Sequence, residues 1–250
     1  MLCAVLLCFS AQSQAIVNVE GLHLKKPNTG FSAKTSLGFS GADGNSQFFN
    51  VEWKTRFQYA QKKYTRFALF QYFYGESFHQ QNLNKDFVHL RSIQHVTEKY
   101  SWEVFTQLQQ NKFERLHLRA LLGGGLRTYL IPRSPKRAVI LGTGAFFSHE
   151  SFINSSGTTD TGTRQLVRGN IYFVYDKKLS NDHVLFTTTY LQPAVTNLRD
   201  FRLLEQAGVN TNISKQLAIG LELSISHNNR PPQQVKKTDV LYKTSITYTF

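Results

Sequence analysis

Leu217-Ala218-Ile219-Gly220-Leu221-Glu222-Leu223-Ser224-Ile225-Ser226 places an apolar side chain at every odd position and a small or polar one at every even position. Successive side chains of a β-strand point to opposite faces, so a period of two predicts a strand with one apolar and one polar face. The same split sets Val51, Trp53, Thr55, Phe57 and Tyr59 against Glu52, Lys54, Arg56 and Gln58. It returns where Val240, Tyr242, Thr244, Ile246, Tyr248 and Phe250 alternate with Asp239, Lys243, Ser245 and Thr247.

Extended along the chain, this reading predicts strands at 30–41, 47–60, 63–76, 86–96, 99–110, 115–131, 137–152, 164–178, 183–195, 199–213, 216–228 and 238–250. Such strands run to about ten to fifteen residues, where soluble sandwiches favour five or six; a tilted strand of this length crosses a bilayer. Tight turns are expected near Gln61-Lys62, Thr97-Glu98, Pro132 to Lys136, Leu179 to Asp182 and Ser214-Lys215. Longer links near Ser77 to Lys85, Asn154 to Thr163 and Asn229 to Lys237 interleave with them. Short periplasmic turns alternating with longer external loops are the habit of outer-membrane barrels. Ile16 to Leu24 would run the wrong way for a thirteenth strand, so it reads as a periplasmic or lumen-entering segment.

Composition agrees with a barrel. Aromatics reach 13%, with 20 Phe and 11 Tyr, yet mean hydropathy is −0.32, unlike a helical membrane protein. Residues 1–15 carry an apolar run from Leu2 to Phe9 and end Ser13-Gln14-Ala15, which reads as a signal peptide cut after Ala15. Cys3 and Cys8 both fall inside it, so disulfides, zinc and cysteine nucleophiles are not expected after cleavage. The net charge of +13 would suggest nucleic acid in a cytosolic protein. Here no recognition motif accompanies it, and Lys and Arg gather at turns such as Lys62-Lys63 and Lys177-Lys178. Solvated turns, or contact with lipopolysaccharide phosphates and anionic head groups, both account for that.

Charges at mid-bilayer on a lipid face cost about 2 to 4 kcal/mol for Arg or Lys, so strand charges are expected to face the lumen. Glu103, Arg119, Arg127, Glu150, Arg168, Glu222 and Asp239 form the candidate lumen network, with Glu52, Lys54, Arg56, Arg91 and Lys243 also inward. Two readings stand open: salt bridges that hold the wall, or a solute path lined by Arg119, Arg127 and Arg168. Tyr59, Tyr64, Tyr74, Tyr100, Tyr129, Tyr175 and Tyr190 are candidates for the interfacial aromatic girdles. Tyr248 and the terminal Phe250 form the expected signal for the barrel assembly machinery.

Catalytic constellations are thin. Gly123-Gly124-Gly125 lacks the Lys and Ser/Thr of a phosphate loop and in a strand more readily relieves crowding. Ser148, His149 and Glu150 are strand neighbours, so consecutive members point apart. The eight His show no metal-ligand spacing.

Seven motifs follow one another in order: Asn18-Val19-Glu20, Asp43-Gly44-Asn45, Trp102 to Gln107, Leu118 to Arg127, Tyr190-Leu191-Gln192-Pro193, Asp200-Phe201-Arg202 and Arg230-Pro231-Pro232. By these the chain resembles the domain-of-unknown-function family of salt-induced outer-membrane proteins, over nearly all of the sequence after Ala15. The resemblance implies a monomeric outer-membrane barrel and no assigned catalytic residues.

The sequence thus predicts an all-β protein: a signal peptide at 1–15, an N-terminal periplasmic or lumen segment at 16–29, and a single antiparallel transmembrane β-barrel of about 12 strands at 30–250. It is expected in the Gram-negative outer membrane as a monomer, in contact with lipid, lipopolysaccharide and the assembly machinery. No nucleic acid, cofactor, metal or catalytic residue is expected. Its role reads as a narrow channel or an envelope-stress structural protein. The alternatives are an enzyme acting on outer-membrane lipid and a soluble periplasmic ligand-binding barrel.

Overall fold

The computed structural model describes residues 16, 18–20, 29–42, 48–78, 80–132, 134, 136–153, 162–214, 217–232 and 235–248. The expected signal peptide, the Asp43-Gly44-Asn45 motif and the terminal Phe250 lie outside the described residues.

Among the described residues, alternating β-branched, aromatic and polar side chains build twelve strands. These are β1 (Gly30–Ala42), β2 (Phe48–Ala60), β3 (Tyr64–Ser77), β4 (Gln80–His95), β5 (Tyr100–Asn111) and β6 (Leu116–Tyr129), with a 3-10 turn at Lys112–Glu114 before β6. Then come β7 (Arg137–Phe152), β8 (Thr163–Lys178), β9 (His183–Ala194), β10 (Asn197–Asn212), β11 (Leu217–Asn228) and β12 (Thr238–Tyr248). They form one sheet in sequence order, each strand antiparallel to the next, as the periodicity predicts.

Tight turns close the end where β2, β4, β6, β8 and β10 finish. Gln61 N donates to Tyr64 O at 2.7 Å, Thr97 N to Tyr100 O at 3.1 Å, and Ser214 N to Leu217 O at 3.1 Å. At the opposite end residues 153–162 and 229–237 make long links, but the long link expected at Ser77 to Lys85 is absent. There β3 runs to Ser77 and β4 begins at Gln80, with Phe78 turning the chain at a left-handed φ of 49°.

The wall is inside out relative to a soluble protein. On β5, Ser101, Glu103, Phe105, Gln107, Gln109 and Asn111 are buried, while Trp102, Val104 and Leu108 are 59%, 58% and 51% exposed. Leu90, Leu122, Phe147, Val167, Ile171 and Leu221 continue the exposed apolar face on other strands. Buried polar groups and contiguous exposed apolar surface are the two informative departures from an ordinary globular pattern. Glu205, at the middle of β10, departs from this division: it lies on the outward side, where the Thr187 and Thr189 hydroxyls donate to its carboxylate.

Groups far apart in the sheet meet inside it, which requires the sheet to roll into a barrel. Tyr172 on β8 reaches Glu103 on β5, and Arg202 on β10 reaches Glu150 on β7. Ile16 and Val19 are buried within the roll. Asn18 Nδ2 donates to Gln206 Oε1 on β10 at 2.7 Å, and Arg56 Nη1 on β2 donates to Val19 O at 3.4 Å. One apolar cluster joins Ile16 to Tyr129, Ile140, Tyr172, Val174, Tyr190 and Leu204. Tyr129 and Tyr190, expected in a girdle, thus point inward, because they share strand parity with Arg127 and Gln192 rather than with lipid-facing neighbours. Tyr59 and Tyr100 stay outward, at 40% and 39% exposure.

Candidate functional site

The interior charges gather in two tiers. The first lies toward the tight-turn end and is centred on two carboxylates. Glu20 sits 2.5 Å from Arg91 Nη1 of β4 through Oε1 and 2.7 Å from Arg127 Nη2 of β6 through Oε2. Glu103 of β5 lies 3.4 Å from Arg91 and 3.8 Å from Arg127. The Tyr172 hydroxyl donates to Glu103 at 3.0 Å and accepts from Arg127 Nη1 at 3.2 Å. Its ring has room because Gly142 faces it on β7: a Cβ there would overlap the ring atoms. Two carboxylates therefore meet two guanidiniums, the arrangement that offsets the penalty of removing each charge from water.

The second tier lies toward the other end. Glu150 of β7 is fully buried and is held by three guanidiniums: Arg119 Nε at 3.0 Å, Arg164 Nη2 at 2.7 Å and Arg202 Nη1 at 2.7 Å. Arg202 is bidentate, its Nη2 donating to Oε2 at 2.9 Å. This fork geometry is where Arg pairs most strongly with carboxylate. Asp200 takes Arg168 Nη2 at 2.8 Å, while Arg168 Nη1 also donates to the Gln192 and Asp200 carbonyls, both at 3.2 Å.

A chain of side-chain hydrogen bonds joins the tiers along the inner faces of β4, β5 and β6. Arg91 Nε donates to His89 Nε2 at 3.2 Å, which leaves His89 Nδ1 to donate to Gln107 Oε1 at 3.2 Å. Gln107 Nε2 donates to Gln109 Oε1 at 3.1 Å, and Arg119 Nη1 donates to that oxygen at 3.3 Å. His89 is stacked against Phe67, Phe87 and Phe105 at 5.8 to 5.9 Å, so the chain runs through packed aromatic surface.

Of the sequence-predicted residues, Glu103 and Arg127 stand in the first tier, and Arg119, Glu150 and Arg168 in the second. Glu222 and Asp239 are half-buried on β11 and β12, opposite Lys243 and Ser226 in register. Tyr248 ends β12 opposite Leu217. Sequence reasoning did not place Glu20, Arg164, Tyr172, Asp200 or Arg202 in the network. Arg202 and Asp200 share the parity of inward Leu204, and Arg164 and Tyr172 that of Arg168, so alternation carried the signal for those four. Glu20 had only its place in the Asn18-Val19-Glu20 motif.

His149 and Ser151 lie on the outward side of β7, where His149 meets Gln165 and the Ser151 hydroxyl donates to Leu118 O at 3.4 Å. Among the described residues no three His, Cys, Asp or Glu side chains are grouped to hold a metal ion.

Among solved structures, the chain is similar to the translocator domain of autotransporter NalP from Neisseria meningitidis, at 11% identity and a TM-score of 0.47, over 88% of this chain and 87% of that one. It is also similar to the beta domain of the Bordetella autotransporter Brka, at 8% identity and a TM-score of 0.37, over 88% of this chain and 98% of that one. No curated protein matches the chain in sequence. The family model described as "Protein of unknown function, DUF481" matches residues 35–250, and the chain belongs to that family.

Proposed function

We propose that the chain is a β-barrel of the Gram-negative outer membrane whose lumen is closed at two levels, so that it acts at rest as a sealed structural element of the envelope. The Glu150 tier carries this reading. Three guanidiniums from β6, β8 and β10 converge on one fully buried carboxylate of β7. The exposed apolar face with Trp102, Val104, Leu108 and Leu122 supports lipid outside. A soluble ligand-binding barrel needs the opposite arrangement. Removal of residues 1–15 as a signal peptide, a monomeric state and contact with lipopolysaccharide belong to the same reading.

A gated channel is the second reading, and Glu20 favours it: one of the first tier's two carboxylates comes from a segment outside the sheet and is held by ion pairs. Single-channel recording in planar bilayers decides between them. Folded wild-type protein is expected to give no stepwise current in any of several salts. Discrete openings by the wild type would overturn the sealed reading, and openings only after deletion of residues 16–29 would establish the gated one.

A further inference from the structure

Between the two tiers lies a cavity of about 30 Å³. Its charged lining is Arg91, Arg119 and Arg202, and no carboxylate lines it among the described residues. Two donors on its lining side chains, the Tyr190 hydroxyl and Arg202 Nε, are buried without a hydrogen-bond partner. We propose that this cavity is a binding site for one small monovalent anion of the halide class.

Three considerations converge on that occupant. The first is size: a water needs roughly 10 to 15 Å³ of such space, so the cavity has room for one halide or two waters. The second is the balance of donors and acceptors. Two lining acceptor oxygens are engaged, since His89 donates to Gln107 Oε1 and Gln192 Nε2 donates to Asn170 Oδ1. The buried lining atoms without a partner are an O–H and an N–H, which an anion satisfies without offering a donor of its own. The third is charge. Among the described residues the two tiers hold six guanidiniums, Arg91, Arg119, Arg127, Arg164, Arg168 and Arg202, against four carboxylates, Glu20, Glu103, Glu150 and Asp200. Three of these guanidiniums line the cavity with no described carboxylate among them, and a counter-ion stabilises such a lining where water is scarce.

The site does not depend on conduction, so it stands or falls separately from the sealed reading. The test is a crystal of the full barrel grown in bromide, measured at the bromine absorption edge. One anomalous peak in hydrogen-bonding reach of Tyr190 Oη and Arg202 Nε is expected, with occupancy falling several-fold in Tyr190→Phe. Density at that place without anomalous signal would mean water and overturn the proposal. Independently, protein refolded in rising chloride, at ionic strength held constant with gluconate, is expected to show a rising urea midpoint by mass action. A flat response would also count against the site.

Discussion

The tier around Glu150 is built from the wall alone, by β6, β7, β8 and β10, whereas the tier around Glu103 takes Glu20 from a segment outside the sheet. In the first case every charge is fixed by the register of hydrogen-bonded strands before any side chain moves. In the second, an ion pair ties a separate stretch of chain into the bore. The difference teaches that similar chemistry makes two kinds of tie here: Glu150 joins strands of the wall to one another, and Glu20 joins a stretch outside the sheet to the wall.

Neutralising each centre sharpens that contrast. Glu150→Gln is expected to have the largest effect, because it leaves Arg119, Arg164 and Arg202 facing one another without their carboxylate. Removing one partner of a buried pair costs about 3 to 5 kcal/mol. Urea unfolding from lipid vesicles would read the loss, and a change under about 1 kcal/mol would show that the tier does not hold the wall. Glu20→Gln is expected to cost less, about 1.5 to 3 kcal/mol as for hydrogen bonds to charged groups, since Glu103 still faces Arg91 and Arg127. Heat-modifiable gel migration should persist, while protease access to residues 16–29 should rise. If both variants lost equal stability, the distinction between the two ties would collapse. Tyr172→Phe is expected to be the mildest, at the low end of that range, about 1.5 kcal/mol, because one neutral hydroxyl is lost between Glu103 and Arg127 and the ring keeps its place over Gly142. The same urea series would check it.

Much of this architecture is legible in particular residues. Alternation around Leu217 to Ser226 and Val51 to Tyr59 specifies strands, and β2 and β11 occupy those stretches. The turns near Gln61-Lys62, Thr97-Glu98 and Ser214 fall where the sequence places them. Alternation failed where it had to. Phe78 turns a hairpin in a conformation unusual for a non-glycine residue, so nothing local marked that link as short. Tyr129 and Tyr190 read as girdle residues by position near turns, yet their parity turns them inward. Glu205 sits outward because two threonines on the neighbouring strand satisfy it, a partnership invisible along one strand.

What the sequence by itself determined is the strand, its two faces and the order of pairing, because a side chain's face follows from a period of two and antiparallel neighbours follow from short turns. Which charges meet was decided only by the tertiary structure. Arg202 finds Glu150 across 52 residues and Glu20 finds Arg127 across 107, distances closed by the rolling of the sheet rather than by any local pattern. The curvature of the barrel brings inner faces three strands apart into contact, so that ordinary alternating polar residues become a buried network of ion pairs.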